Sequence, residues 1–277
     1  VTTKGFGGLP ARAVGIKYFK KGWTSMKRTA AFFLALLMTT ALVMGGLAEA
    51  APKEGGTLIV GLSGDPQNFN PDSGSDDYAL PANSNIFNSL VSMTMDMDII
   101  SDLARSWEFS EDGTEITFHL AENVKWHDGE PFTSADVKWT FDTIKEQKGV
   151  ASNNLVSIEE ITCPDDNTMV MKLAYPDSGI LGFLAWYGIF IMPKHIYEGT
   201  DWLTNPANMQ PVGTGPFKFE SFTSGVAVTL VKNEDYWGEG PYLDKVVFQI
   251  IPDKETEYQA WQNGEIDIMA NFIPGVD

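Results

Sequence analysis

The stretch Pro211–Ile268, PVGTGPFKFESFTSGVAVTLVKNEDYWGEGPYLDKVVFQIIPDKETEYQAWQNGEIDI, decides how the rest of the chain is read. Gly213-Thr214-Gly215 supplies a tight turn, because glycine tolerates conformations that other residues resist. Phe217 and Phe219 then alternate with polar neighbours, the period of a half-buried strand, and Val226, Val228 and Leu230 repeat the pattern. A loop holding Tyr236, Trp237 and Tyr242 leads to a third apolar run, Val246 to Ile251. The segment ends in a short helix closed by Gly264, the residue type that most readily takes the left-handed conformation of a helix terminus.

Upstream, Gly56 opens onto a strand, Thr57 to Leu62, followed by a polar loop, Ser63 to Asp77, rich in Gly, Pro, Asn and Asp. Pro81 to Ser92 reads as a helix leading into a strand, with Ile86, Phe87, Leu90 and Val91 apolar. Trp107 to Phe109, a turn at Ser110 to Gly113, and Ile116, Phe118 and Leu120 predict a hairpin with His119 on the opposite face. Thr133-Ser134-Ala135-Asp136 is a helix-capping signal that places Val137, Phe141 and Ile144 on one stripe. A further strand runs from Met169 to Ala174 after the turn Asp165-Asp166-Asn167. Strands and helices mix without a regular βαβ rhythm, and there is neither an internal repeat nor a long low-complexity run.

The 277 residues are 43% hydrophobic, enough for a packed core in one large or two ordinary domains. Residues 1–50 hold seven of the 19 bases and one of the 37 acids, so the remainder carries 12 against 36, a net of about −24. A surface that acidic repels phosphates and argues against nucleic acid or an anionic membrane as partner. It leans toward cationic or zwitterionic ligands, or is simply a solvated surface. Cys163 is the only cysteine, so no disulfide forms within the chain. It reads as a small buried or loop residue beside Pro164, the alternative being a partner cysteine beyond Asp277.

Met26-Lys27-Arg28, the apolar run Ala30 to Met44 and the small-residue site Ala48-Glu49-Ala50 have the three parts of a secretory signal. The apolar run, about 15 residues, falls short of the roughly 20 that a spanning helix needs. We therefore expect a signal peptide over 26–50, cleaved after Ala50, and a periplasmic product. No cysteine near that site invites a lipid anchor. Residues 1–25 read as a mis-called leader ahead of a true start at Met26.

Enzyme motifs are mostly missing. Gly61-Leu62-Ser63-Gly64 is not a nucleophile elbow, since its second glycine comes one residue early. Gly213-Thr214-Gly215 lacks the third glycine of a dinucleotide fingerprint. His119, His127 and His195 lack metal-site spacing, although a spatial cluster stays open, and His127 in W-H-D-G reads as a turn residue. Glu159, Glu160, Asp165 and Asp166 suit a hydrolase's carboxylate pair no better than a solvated face. No catalytic residue, metal site or cofactor is expected. Tyr78, Trp186, Tyr187, Tyr236 and Trp237 combine apolar area with a polar tip, which fits a binding cleft as well as a core.

Several motifs recur in one order: V-G-T-G-P-F at Val212–Phe217, N-x-x-Y-W-G at Asn233–Gly238, P-Y-L-D at Pro241–Asp244 and G-E-I-D-I at Gly264–Ile268. Leu103-Ala104-Arg105-Ser106-Trp107-Glu108 and Trp126-His127-Asp128-Gly129-Glu130-Pro131-Phe132-Thr133 agree. Nearly everything after Ala51 thereby resembles the extracellular solute-binding proteins of the peptide, dipeptide and nickel type, family 5, which serve ABC importers. The resemblance implies an α/β, type II periplasmic-binding-protein fold of the large peptide-binding class. It assigns 51–90 and 205–277 to a discontinuous lobe I and 91–204 to an inserted α+β subdomain. Family members continue well past this length through a second lobe, so an N-terminal portion is expected.

The resemblance also implies a ligand cavity lined by the segment after G-E-I-D-I, here Ala270, Asn271 and Phe272, and by the loop at Asp77 and Tyr78. Asn271 takes the matching polar position, where its amide could serve a peptide group. The implied function is non-catalytic capture of a di- or oligopeptide by a monomer and delivery to an inner-membrane ABC permease. A nickel-chelate, sugar or opine binder, or a receptor or chaperone on the same scaffold, is the alternative.

Overall fold

The computed structural model describes residues 52–73, 76–185 and 189–270. The leader, the signal peptide, Trp186, Tyr187, Asn271 and Phe272 lie outside the described residues. In chain order the elements are β1 (Thr57–Leu62), α1 (Leu80–Ile86), β2 (Val91–Met93), β3 (Ile99–Ser101), β4 (Ala104–Phe109), β5 (Glu115–Leu120), α2 (Ser134–Gln147), β6 (Ile158–Asp165) and β7 (Thr168–Leu173). There follow α3 (Ile180–Ala185), α4 (Lys194–Tyr197), β8 (Phe217–Thr223), β9 (Ala227–Lys232), β10 (Lys245–Ile250), α5 (Lys254–Gln262) and β11 (Ile268–Met269).

One mixed sheet has the order β11-β1-β10-β9-β8, and a second, antiparallel sheet the order β4-β5-β7-β6. β1 runs parallel to both β10 and β11, with Thr57 opposite Lys245, so the first strand is paired with residues about 190 positions away. The alternation predicted from sequence sends Val60 and Leu62 of β1, Val228 and Leu230 of β9, and Val246 and Phe248 of β10 into one core, continuous with Ile116, Phe118, Met169 and Met171 of the second sheet. Burying each such side chain contributes about 1.5–3 kcal/mol. His119 is exposed on the opposite face of β5, as its register requires.

Helix α2 begins where the capping signal placed it. The Thr133 N–H donates to Asp136 Oδ2 at 2.9 Å, and Asp136 Oδ1 accepts from the Lys194 N–H at 3.1 Å. The capping carboxylate thus ties α2 to α4, and Val137, Phe141 and Ile144 are buried beneath it. Two expectations are corrected. Val226 lies in the β8–β9 turn, 57% exposed, because Gly225 takes a positive φ of 71° and the strand starts one residue later. Cys163 is neither buried nor in a loop: it sits half-buried on β6, its Sγ–H donating to Ser134 O at 3.3 Å. β6 is an edge strand with a bulge between Thr162 and Asp165, which is why Pro164 is tolerated there without breaking a ladder on both sides.

Candidate functional site

Because β1, β10 and β11 are mutually parallel, their carboxyl ends share one edge of the mixed sheet. In open α/β sheets ligands bind outside such carboxyl ends. Two of the expected site residues, Ala270 and Tyr78, lie along that edge. The Ala270 N–H donates to Gly61 O at 3.0 Å, and just before it the Asp267 carboxylate accepts from the Ile59 N–H at 2.8 Å, so the G-E-I-D-I segment is clamped along β1. The Tyr78 ring lies against Gly64, two residues beyond β1: a Cβ on Gly64 would stand 2.6 Å from the ring. Tyr78 remains 38% exposed beside Asp77, which is exposed.

The loop bearing Tyr78 is fastened from below. Asp76 accepts from the N–H groups of Gln67 and Tyr78 at 2.7 and 3.0 Å, and the Phe69 N–H donates to Asn208 O at 2.7 Å. Asp72 is buried and accepts from the Ala151 N–H at 3.0 Å, while its other oxygen finds no partner among the described residues. Burial pushes the Asp72 carboxyl up to about 6, the Ala151 N–H opposing it. A Cβ at Gly149 would fall 1.6 Å from Asp72 Oδ2, so any larger residue there would have to displace the Asp72 carboxylate.

Sequence reasoning missed Glu257. Its side chain is closed off from solvent on the inner face of α5, over Gly61, and neither carboxylate oxygen has a partner among the described residues. Burial raises its pKa, with Lys254 opposing weakly. Asp253, the N-cap, and Gly264, past the last turn at φ 73°, fix α5 so that position 257 faces the sheet. The helical period carried the only signal, three residues before the buried Ala260.

His127 and Trp237 lie instead at the opposite, amino-terminal edge of β1 and β10, whereas His119, Glu159, Glu160 and Asp165 belong to the second sheet. His127 closes the V-G-T-G turn: its Nδ1 accepts from the Gly213 N–H at 3.2 Å, and its Nε2–H donates to Gly215 O at 3.0 Å. This fixes the neutral tautomer with hydrogen on Nε2. Burial pushes the His127 pKa down to about 4, the Gly215 carbonyl opposing it. A Cβ at Gly213 would lie 1.9 Å from Ile86 O, so these glycines serve the approach of α1. Trp237 donates to Thr214 O at 3.0 Å and stacks under the Arg105 guanidinium, 4.5 Å from the ring centre, so it does not join Tyr78. His195 pairs with Asp128 at 2.7 Å, and Glu159 with Lys172 at 3.0 Å on the surface. Among the described residues no group of three or more His, Cys, Asp or Glu could hold a metal ion, and no helix is long and apolar enough to cross a membrane.

Residues 98–276 match the family described as bacterial extracellular solute-binding proteins, family 5 Middle. A putative ABC transporter peptide-binding protein of Brucella ovis is 36% identical over 247 residues, covering 85% of this chain and 46% of that protein. Among solved structures, the oligopeptide-binding protein AppA from Bacillus subtilis, in complex with a nonapeptide, superposes with a TM-score of 0.72 at 29% identity, covering 78% of this chain and 44% of AppA. AgaA from A. tumefaciens R10, in complex with agropinic acid, gives 0.70 at 36% identity, covering 77% and 43%. The mixed α/β body thus has the type II periplasmic-binding-protein fold. The chain belongs to the extracellular solute-binding proteins of family 5, and it spans a little under half the length of the relatives it matches.

Proposed function

We propose that this chain is the substrate-binding component of an ABC importer, that it captures di- or oligopeptides in the periplasm without chemistry, and that it delivers them to a membrane permease. The observation that carries the proposal is that Tyr78, against Gly64 just past β1, and Ala270, just past β11 and bonded to Gly61, both lie at the carboxyl ends of parallel strands, where α/β sheets take ligands. Asp77, Tyr78, Ala270, Asn271 and Phe272 form one wall of the cleft, with Tyr78 offering an aromatic face and a phenol. Residues 51–90 and 205–277 make lobe I and 91–204 an inserted subdomain, a division supported by the separate strand membership of the two large sheets. Ligand held between this wall and a second lobe favours a closed state that a permease can distinguish.

The similarity to AgaA favours a second reading, in which the same wall receives a small opine-type acid. Calorimetric titration of a full-length protein carrying this chain with a panel of di- to nonapeptides and with agropinic acid separates the two. Peptide binding without hydrolysis, weakened about tenfold by Tyr78→Ala, supports the first reading. Binding of agropinic acid alone replaces it with the second, and binding of neither overturns both.

A further inference from the structure

The hairpin β2–β3 carries Ser92-Met93-Thr94-Met95-Asp96-Met97-Asp98 at its tip, so three of the chain's 11 methionines fall within five residues. The loop is closed by Thr94 N–H to Asp98 O at 2.9 Å, Met97 N–H to Thr94 O at 2.9 Å and Asp98 N–H to Thr94 Oγ1 at 3.2 Å. Met95 is fully exposed and Met97 is 69% exposed, so neither is held by packing among the described residues. Met97 also has a φ of 68°, the left-handed position of a three-residue hairpin loop, which glycine or asparagine fills with less strain. Neither burial nor backbone conformation explains methionine at either place. What distinguishes it there is the thioether.

We propose that this tip binds a soft monovalent cation, Cu(I) or Ag(I), through the sulfurs of Met93, Met95 and Met97. Successive methionines stand two residues apart, within about 7 Å along the chain, and the chain reverses between Thr94 and Asp98, so Met95 and Met97 sit at the tip just past Met93, the last residue of β2. The side chain is unbranched with three rotatable bonds, so three sulfurs can converge on one ion from such a loop. Thioethers are soft ligands that select Cu(I) over the hard cations carboxylates prefer. Asp96 and Asp98, both exposed, add negative charge beside the ion. Thioethers do not titrate, so this site holds its ion independently of pH, whereas a thiolate or imidazole site gains affinity as protons leave.

The test uses the whole chain with Cys163→Ala, which removes the only thiol. Cu(I) is titrated anaerobically against bicinchoninate, and Ag(I) is followed through ¹³C-methyl methionine NMR signals. The expected result is one equivalent of Cu(I), an affinity constant across the histidine range of about pH 5.5 to 7.5, and Ag(I)-induced shifts confined to the methyls of Met93, Met95 and Met97. Adding Met95→Leu and Met97→Leu lowers the affinity about 10- to 100-fold or more without moving the urea midpoint. No uptake by the Cys163→Ala chain, an affinity that climbs with pH, or undiminished binding by the leucine variant overturns the proposal.

Discussion

At the scale of single residues, the strongest constraints come from places where backbone meets backbone or a polar group is shut in. Gly213→Ala places a methyl 1.9 Å from a carbonyl oxygen of α1, which cannot move as a side chain could, so a loss of about 2–4 kcal/mol is expected in urea unfolding. Glu257 is the reverse case: a carboxyl with no partner among the described residues, whose charged form is disfavoured in the folded state. A group with a raised folded pKa contributes stability that is present at low pH and lost as pH rises through that pKa. Glu257→Met should therefore stabilise the chain by about 1–3 kcal/mol at pH 7 and by less in acid; a loss at pH 7 would reveal a partner for the carboxylate. His127 has the opposite sign. With a folded pKa of about 4 against an ordinary 6.5, its contribution is full above pH 6.5 and is lost as pH falls toward 4. The urea stability of wild type relative to His127→Gln should therefore decline as pH falls from 6.5 toward 4; a difference that does not change with pH would mean that His127 does not titrate there. Asp72 and Asp102, the latter buried beside Ser89 and Asn88, are each pushed up to about 6 by burial and together outweigh His127 with the opposite sign over this window, so the variant-minus-wild-type difference, not the wild-type slope, reports on His127.

At the scale of elements, α2 and α5 show how local signals become tertiary joints. Thr133 and Asp136 were legible as a capping box, yet only the fold shows that the second oxygen of Asp136 holds the start of α4. Asp136→Ala should accordingly cost more than the ~1 kcal/mol of an ordinary cap, and more than Thr133→Ala, when both are compared by denaturation. Equal losses would mean that the bond to Lys194 carries no net energy. The hairpin β4–β5 was readable from alternation and its Asp112-Gly113 turn, since both its signals are local. The pairing of β2 with β3 was not, because each strand has three residues and offers too short an apolar pattern to separate strand from loop.

At the scale of the whole molecule, the mixed sheet joins Thr57–Leu62 to Lys245–Ile250, so its central pairing closes only after the intervening chain has been ordered. Amides of β1 and β10 should exchange with solvent at one common opening free energy in native-state hydrogen exchange; clearly separate values would show that the sheet is not a single cooperative unit. The sequence by itself determined β1, the β4–β5 hairpin, β7, the run β8–β10, the helices α1, α2 and α5, the turn at Gly213-Thr214-Gly215, the end of α5 at Gly264 and the family, because periodicity, caps and ordered motifs are written in neighbouring residues. Only the tertiary structure decided that Tyr78 rests on Gly64 and Ala270 on Gly61, that Trp237 and His127 belong to the far edge, and that Glu257 is enclosed. These depend on which distant strands lie side by side, and parallel pairing across about 190 residues leaves no periodic trace in either partner.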